Sequence, residues 1–558
     1  MTTSTVQKSI SSLLRMRGDE AFIVIDSLIN NHLQEMTIDM LTELVYNLTK
    51  TPYNKLDIDH SFLIMDHVMH QMGSFPVDCL AKLVWALVTL EVNQPIFMEY
   101  VSIEFQSRSG DEFSSKDISN ILWSFATVDI RDPELFRFFS SIIQQMDGST
   151  FNNQNISNIL WSVAKVGLKD PILFKFLSLE VQQRDWSMFK KQDISNILWS
   201  FATIGIYDPE LFGFFSSMIQ LAGGSTFNSQ VIANILWSFA KVGCNNPTLF
   251  RFLSFEIKRR EGFTFDTQGL ANILWSFATV GLKDPQLFQM CSQEIQRRDR
   301  STLKGRELSS ILWSIAKVGL KDPPLFRIFS SEIQQRNGST FNSQSISNIL
   351  WSVATVGLKD PTLFQFFSLE IQQRNGSTFT PQSISNILWS FTKVGMRDLQ
   401  LFQFFSSVIQ QRGVSTFEER HLSTILWSVA KVGLKDEPLS ALFSLEIQKR
   451  GLRTFDNQAI STILWSIATV GLKDGPLFKL FSLELQKRDL STFDERNLST
   501  ILWSVAKVGL KDSILFRLFS IEIRRRPVTA FKPEGVKQIL WSVEKVGYKD
   551  LALSRFFN

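Results

Sequence analysis

Every 38 residues the chain repeats a set of side chains that carry charge or hydrogen-bond without being strongly reactive. In one copy they are Gln154, Asn158, Trp161 and Lys165. A carboxamide sets a donor beside an acceptor, which suits the edge of a base. A lysine ammonium suits a phosphate, and an indole offers a face for stacking. This is chemistry of recognition. For bond-making chemistry the sequence holds no P-loop, no G-x-G-x-x-G, no G-x-S-x-G and no H-E-x-x-H. His60, Asp66, His67 and His70 gather three of the five histidines, with His67 and His70 on one helical face. No cysteine or second carboxylate completes a ligand set, so they read as ordinary helix-surface histidines. No enzyme activity, metal or cofactor is expected.

Numbered from the tryptophan, position −3 is Asn120, Asn158, Asn196, Asn234, Asn272, Asn348 and Asn386, then Thr424, Thr462 and Thr500. Position +4 alternates through Thr127, Lys165, Thr203, Lys241, Thr279, Lys317, Thr355 and Lys393, with Lys431, Lys507 and Lys545 further on. Position −7 holds Gln154, Gln192 and Gln230. Position −6 varies most: Asp117, Asn155, Asp193, Val231, Gly269, Glu307, Ser345, Ser383, His421, Ala459, Asn497 and Gly535. The layout is that of a modular reader, with lysines on phosphates and positions −6 and −3 at base edges, one base per repeat. Plainer readings stand beside it. The polar line could be a solvated face, the asparagines could bond to the adjacent repeat, and position −6 could drift freely near a helix start.

The elements that would hold these groups follow from the repeat. Trp85, Trp123, Trp161, Trp199, Trp237, Trp275, Trp313, Trp351, Trp389, Trp427, Trp465, Trp503 and Trp541 are each 38 residues apart, and Trp186 alone lies off the series. Within one repeat Asp494 is an N-cap, and Phe493 and Leu498 form a hydrophobic staple across it. Phe holds the staple place throughout, except at Leu303. The first helix then runs past Trp503 to Gly509, a left-handed stop. Asp170-Pro171, Asp284-Pro285 and Asp360-Pro361 start second helices, with proline where its missing N–H costs nothing.

At about 100° per residue, positions −5, −2, −1, +2, +3 and +5 of the first helix form the core arc. The opposite arc holds Gln154, Ser157, Asn158, Trp161, Ser162 and Lys165. Fully exposed indoles at this spacing would invite aggregation, so the tryptophans are expected to wedge between consecutive first helices with one edge outward. The fold class is all-α: an α-solenoid, a right-handed superhelix of two-helix 38-residue repeats. Residues 1–74 are read as a helical cap with degenerate repeats, Tyr46 standing near the tryptophan place, and residues 75–558 as an array of about 13 tandem repeats.

A chain of 558 residues exceeds a single ordinary core, and 44% hydrophobic content excludes general disorder. No apolar run approaches the length of a membrane span. The net charge of +4 announces no nucleic-acid partner, so any electrostatic case rests on where the charges sit. Cys79, Cys244 and Cys291 lie far apart and form neither a disulfide framework nor a zinc knuckle. Residues 1–18 contain no acid, carry Lys8, Arg15 and Arg17, and have the composition of a targeting segment; Ile10, Leu13 and Leu14 equally suit a first helix.

The stretch Ile156-Ser157-Asn158-Ile159-Leu160-Trp161-Ser162-Val163-Ala164-Lys165-Val166-Gly167 resembles the octotricopeptide repeat, a 38-residue helical-repeat family with an L-W-A-x-A-K-x-G core. The resemblance covers about residues 75–558, with Ser in place of the usual Ala after the tryptophan. It implies a monomeric two-helix solenoid that binds single-stranded RNA in a plastid or mitochondrion, with the cytoplasm as the other setting. It implies a role in transcript maturation, stability or translation, and no RAP-type domain with nuclease activity is expected. The alternatives are an armadillo-like scaffold gripping an extended peptide, whose groove helix also carries a tryptophan, and a purely structural part of a larger complex. Thr or Lys one turn after the tryptophan, where the armadillo repeat has Asn, favours RNA.

Overall fold

The computed structural model describes residues 3–16, 19–51, 55–260, 264–472, 474–548 and 550–557. Among these every regular element is helical. Met1, Thr2, Arg17 and Gly18 of the expected targeting segment lie outside the described residues; Thr3–Ser12 is a helix packed on Ile38–Leu48. The chain forms two compact halves, Met1–Met290 and Cys291–Asn558.

Each repeat is a helical hairpin, and its boundaries follow local chemistry. In the Trp161 repeat the first helix spans Asn153–Val166 and the second Pro171–Gln182. Asn152 caps the first, its Oδ1 accepting from the Asn155 N–H at 2.8 Å. Gly167 ends it at φ 79°, in the left-handed region where a Cβ is costly. In the Trp123 repeat Asp129 takes that place at φ 57°, so the stop survives without glycine. Asp170 caps the second helix by accepting from the Leu173 N–H at 3.0 Å. The Gly-Ser-Thr linkers wind into single 3₁₀ turns, as at Gly148–Thr150.

Within each half the first helices pack on one another in chain order, and the second helices do likewise. In the first half Ser115–Thr127, Asn153–Val166, Lys191–Ile204, Ser229–Lys241 and Thr267–Thr279 form one layer. Within the second half, Gly305–Lys317, Ser343–Val356 and the later first helices as far as Pro533–Val546 pack in the same manner. The core lies between the layers, where the staple Phe493 and its partner Leu498 are buried along with Ile159, Leu160, Phe174 and Leu177. Leu179 does not join the second-helix core: it faces solvent. The stacking reaches into the first 74 residues, where Tyr46 lies 6.0 Å from Trp85, ring centre to ring centre.

The second layer is held by a clasp that the composition did not announce. The aspartate capping each second helix also accepts a bond from a serine on the preceding second helix. Ser178 Oγ donates to Asp208 at 2.8 Å, and Ser140 to Asp170, Ser330 to Asp360 and Ser406 to Asp436 in the same way. Where Asn246 replaces the aspartate, its Nδ2 donates to Ser216 Oγ at 2.8 Å. A second clasp uses arginine. Arg374 pairs with Glu370 one turn back at 2.7 Å and donates to the Gly338 carbonyl of the preceding linker at 2.9 Å. Arg184 and Arg260 reach Gly148 and Gly224 likewise.

Candidate nucleic-acid interface

Stacking covers each first helix on both flanks, and this narrows the polar stripe predicted from the sequence. Positions −4 and +1 do not belong to it. Ser157 and Ser162 are fully buried, and Ser162 Oγ donates to the Asn158 carbonyl at 2.7 Å. The same +1 bond recurs at Ser200, Ser238 and Ser428. Of the Ser157-type hydroxyls, those of Ser119, Ser157, Ser195 and Ser347 make no hydrogen bond. The reason is angular. These positions lie to either side of the tryptophan on the wheel, where the neighbouring first helices press; only small side chains fit there.

Position −6 also leaves the surface. Asn155, Asp193, His421 and Asn497 are buried in the first turn, with Ser345 and Ser383. The side chains of Asn155, Asp193 and His421 close capping boxes: Asn155 Oδ1 accepts from the Asn152 N–H at 3.0 Å, and His421 Nδ1 from the Glu418 N–H at 3.2 Å. Glu307, half-buried, does the same for Lys304 at 3.0 Å. Asn497 instead accepts from Ser461 Oγ of the preceding repeat at 2.8 Å. Burial raises the Asp193 carboxyl above its usual range, against the Lys190 N–H and charge, and burial lowers the His421 imidazole. The base reader expected at −6 thus sits in a covered first turn, at Val231, Gly269 and Ala459 as well as at the capping residues.

What remains outward is the line −7, −3, 0 and +4, whose spacing of four, three and four residues keeps it on one edge of the helix. Gln154, Gln192 and Gln230 are exposed, as are Lys165, Lys241, Lys317, Lys393, Lys431, Lys507 and Lys545 and the threonines Thr203, Thr279 and Thr355. Asn158, Asn196, Asn234, Asn272, Asn348 and Asn386 are half-buried between them. Among the described residues none of these asparagines bonds to an adjacent repeat. The amide contacts run along the helix instead, from Gln192 Nε2 to Asn196 Oδ1 at 2.8 Å and from Gln344 to Asn348 at 3.0 Å.

The tryptophans of the array are half-buried, with Trp541 somewhat more open. Consecutive rings sit tilted against one another, as in Trp237 and Trp275 at 6.4 Å and 34°, or Trp313 and Trp351 at 6.5 Å and 36°. Lys507 Nζ stands 5.9 Å over the Trp503 ring. In the second half this line bounds a cavity of about 710 Å³, lined by Trp427, Lys431, Gln458, Thr462, Trp465, Arg496 and Thr500.

Charge is sorted by position. Many arginines at the ends of second helices are spent on the linker clasps. On the outward line of the array stand Lys82, Lys116, Lys165, Lys241, Arg306, Lys317, Lys393, Arg420, Lys431, Arg496, Lys507 and Lys545, against the acids Asp78 and Glu534. Just beyond it, in the turns between helices, Lys169, Lys283, Lys321, Lys359 and Lys435 are exposed. The sequence reading passed over these turn lysines; their regular place four residues after position +4 was the available signal. A near-neutral chain thus carries a basic line.

The histidine cluster does not converge. His60 is buried between Asp57 at 2.8 Å and Asp26 at 3.2 Å, His67 is buried, and His70 alone lies on the surface, bonded to the Asp66 carbonyl. Among the described residues no group of acids, histidines and cysteines has metal-binding geometry, and no helix is long and apolar enough to cross a membrane.

A comparison with curated proteins finds no match. Among solved structures, a pentatricopeptide repeat protein in complex with an 18-nt RNA element aligns at 11% identity over 100% of this chain and 96% of that one, with a TM-score of 0.31. A homology model of the full-length AP-3 complex aligns at 14% identity over 100% and 98%, with a TM-score of 0.29. The crystal structure of She4p aligns at 12% over 97% and 85%, with a TM-score of 0.30. Nothing further rests on likenesses of that size. The family of RNA-editing substrate-binding complex 6 proteins matches residues 27–222 and 217–373, more than half of the sequence. The chain, a solenoid of 38-residue helical hairpins, belongs to the RNA-editing substrate-binding complex 6 family.

Proposed function

We propose that this chain binds single-stranded RNA along the outward line of its first helices, as a substrate-holding and non-catalytic part of RNA-editing machinery. The observation that carries the reading is the reduction of each first helix to four outward positions, occupied by an amide, a basic or a hydroxyl side chain at −7 and −3 in most repeats, an indole edge, and a lysine or threonine. Those groups match what a single strand offers: base edges, base faces and phosphates. The family's description as a substrate-binding component supports this, and a mitochondrial rather than plastid setting fits it. The lysines at +4 take phosphates and the amides at −7 and −3 meet the bases, one nucleotide per repeat. Protein partners belong at other surfaces, since peptide binding by an armadillo-like groove has no need of a basic line.

Selection from a random RNA pool at about 150 mM salt tests this. The expected result is a bound segment on the order of a dozen nucleotides, free of secondary structure. A pool in which nothing is enriched, with weak binding abolished by salt, would contradict it and favour a protein scaffold.

A further inference from the structure

A reader that assigns different bases to different repeats needs at least one outward side chain that differs between them. In the four repeats of Trp161, Trp199, Trp237 and Trp275 the structure takes the variable positions off the outward line. Position −6 is buried in the first turn at Asn155, Asp193, Val231 and Gly269. The next variable position toward the helix start, −8, is half-buried, and at two of the four it is engaged by the end of its own repeat. Asn153 Oδ1 accepts from Arg184 at 2.9 Å, and Ser229 Oγ donates to Thr264 Oγ1 at 3.0 Å.

What is left is uniform. Four consecutive repeats present Gln154 with Asn158, Gln192 with Asn196, Gln230 with Asn234, and Gln268 with Asn272, each beside a half-buried tryptophan. Every glutamine of the four is exposed and every asparagine half-buried. On that line the one difference is the alternation of Lys165, Thr203, Lys241 and Thr279, which bears on phosphates and not on bases. In the free protein Gln154 Oε1 accepts from Lys190 at 3.3 Å and Gln192 donates to Asn196 at 2.8 Å, but the groups offered to a base are the same in all four repeats, and the same groups beside the same ring prefer the same base.

Resting on the RNA-binding reading above, we infer that these four repeats select a run of a single base, so that the ligand of this segment is homopolymeric RNA. The second half is mixed: Gln344 with Asn348 and Gln382 with Asn386 repeat the pair, whereas Arg306 stands with Ser310, Arg420 with Thr424 and Arg496 with Thr500. Uniformity is therefore a property of the first segment and not of the whole chain.

The test is binding of the full chain to labelled oligonucleotides of about 12 residues. One each is made of A, C, G or U, alongside mixed sequences, with lithium as the salt cation so that the G oligonucleotide stays single-stranded. One homopolymer should bind best, with roughly a tenfold loss for each replaced base that a repeat reads. Asn158→Ser, Asn196→Ser, Asn234→Ser and Asn272→Ser, each mimicking Ser310, should weaken that homopolymer by similar factors. Arg251→Ala, exposed on a second helix and off the outward line, should leave it unchanged. Equal binding of homopolymers and mixed sequences, or a mixed sequence preferred with the four asparagine variants acting unequally, would overturn the inference while leaving RNA binding intact. Failure of every oligonucleotide would instead remove the RNA reading, and the inference with it.

Discussion

A side chain at the start of a first helix has one set of orphan amides to satisfy, and several residue types do this. Asn155, Asp193, Glu307 and His421 fill the same place and close the same bond. His421 does so at a cost, because its Nδ1 accepts and its Nε2 is left buried without a partner. Burial, aided by Arg420 and opposed by Glu418, lowers its pKa below the ordinary histidine value. The folded protein therefore favours the neutral ring. Its contribution is fully present above the unfolded pKa of about 6.5 and is lost as pH falls through the lowered folded value. Thermal midpoints should drop as pH falls from 7 toward 5. His421→Asn, copying Asn155, should flatten that dependence and stabilise by roughly 1 kcal/mol at neutral pH. An unchanged pH profile in the variant would place the dependence elsewhere. That −6 is buried could not be read from its variety, since a capping position and a specificity position both vary.

At the scale of the element, most of the hairpin was legible. Asp494, Phe493 and Leu498 marked the helix start, Asp170-Pro171 the second start, and Gly167 the stop, because capping and left-handed geometry each demand few residue types. The width of the polar face was not legible. A helical wheel treats the helix as covered from one side, whereas a stacked first helix is covered from three, so Ser157 and Ser162 moved inside. The Ser–Asp clasp was hidden too, because Asp208 already had a sufficient local explanation as an N-cap. Its double duty predicts that Asp208→Ala loses both the cap and the bond from Ser178, destabilising by about 1–2 kcal/mol. Asp208→Asn should cost little, since Asn246 does both tasks in the neighbouring repeat. Denaturant midpoints of the two variants check this, and equal losses in both would argue against the clasp.

Over the whole molecule, a net charge of +4 conceals a division of labour. Arginines such as Arg184, Arg336 and Arg450 are committed to linker carbonyls and carboxylates, while the lysines at +4 stand outward. Totals could not reveal that; the 38-residue register could, once the burial of its neighbours was known. We propose that a strand of RNA lies along the outward line and not on the second-helix layer. The most direct measurement is the salt dependence of single-stranded RNA affinity for two variants of equal charge change. One replaces Lys165, Lys241, Lys317 and Lys393 with alanine, and the other Arg137, Arg251, Arg327 and Lys479, which are exposed on the second helices. The account predicts that the first lowers the slope of log affinity against log salt by about 0.7 for each lysine engaged, and that the second leaves it unchanged. Equal slopes for both variants and the parent protein would contradict it.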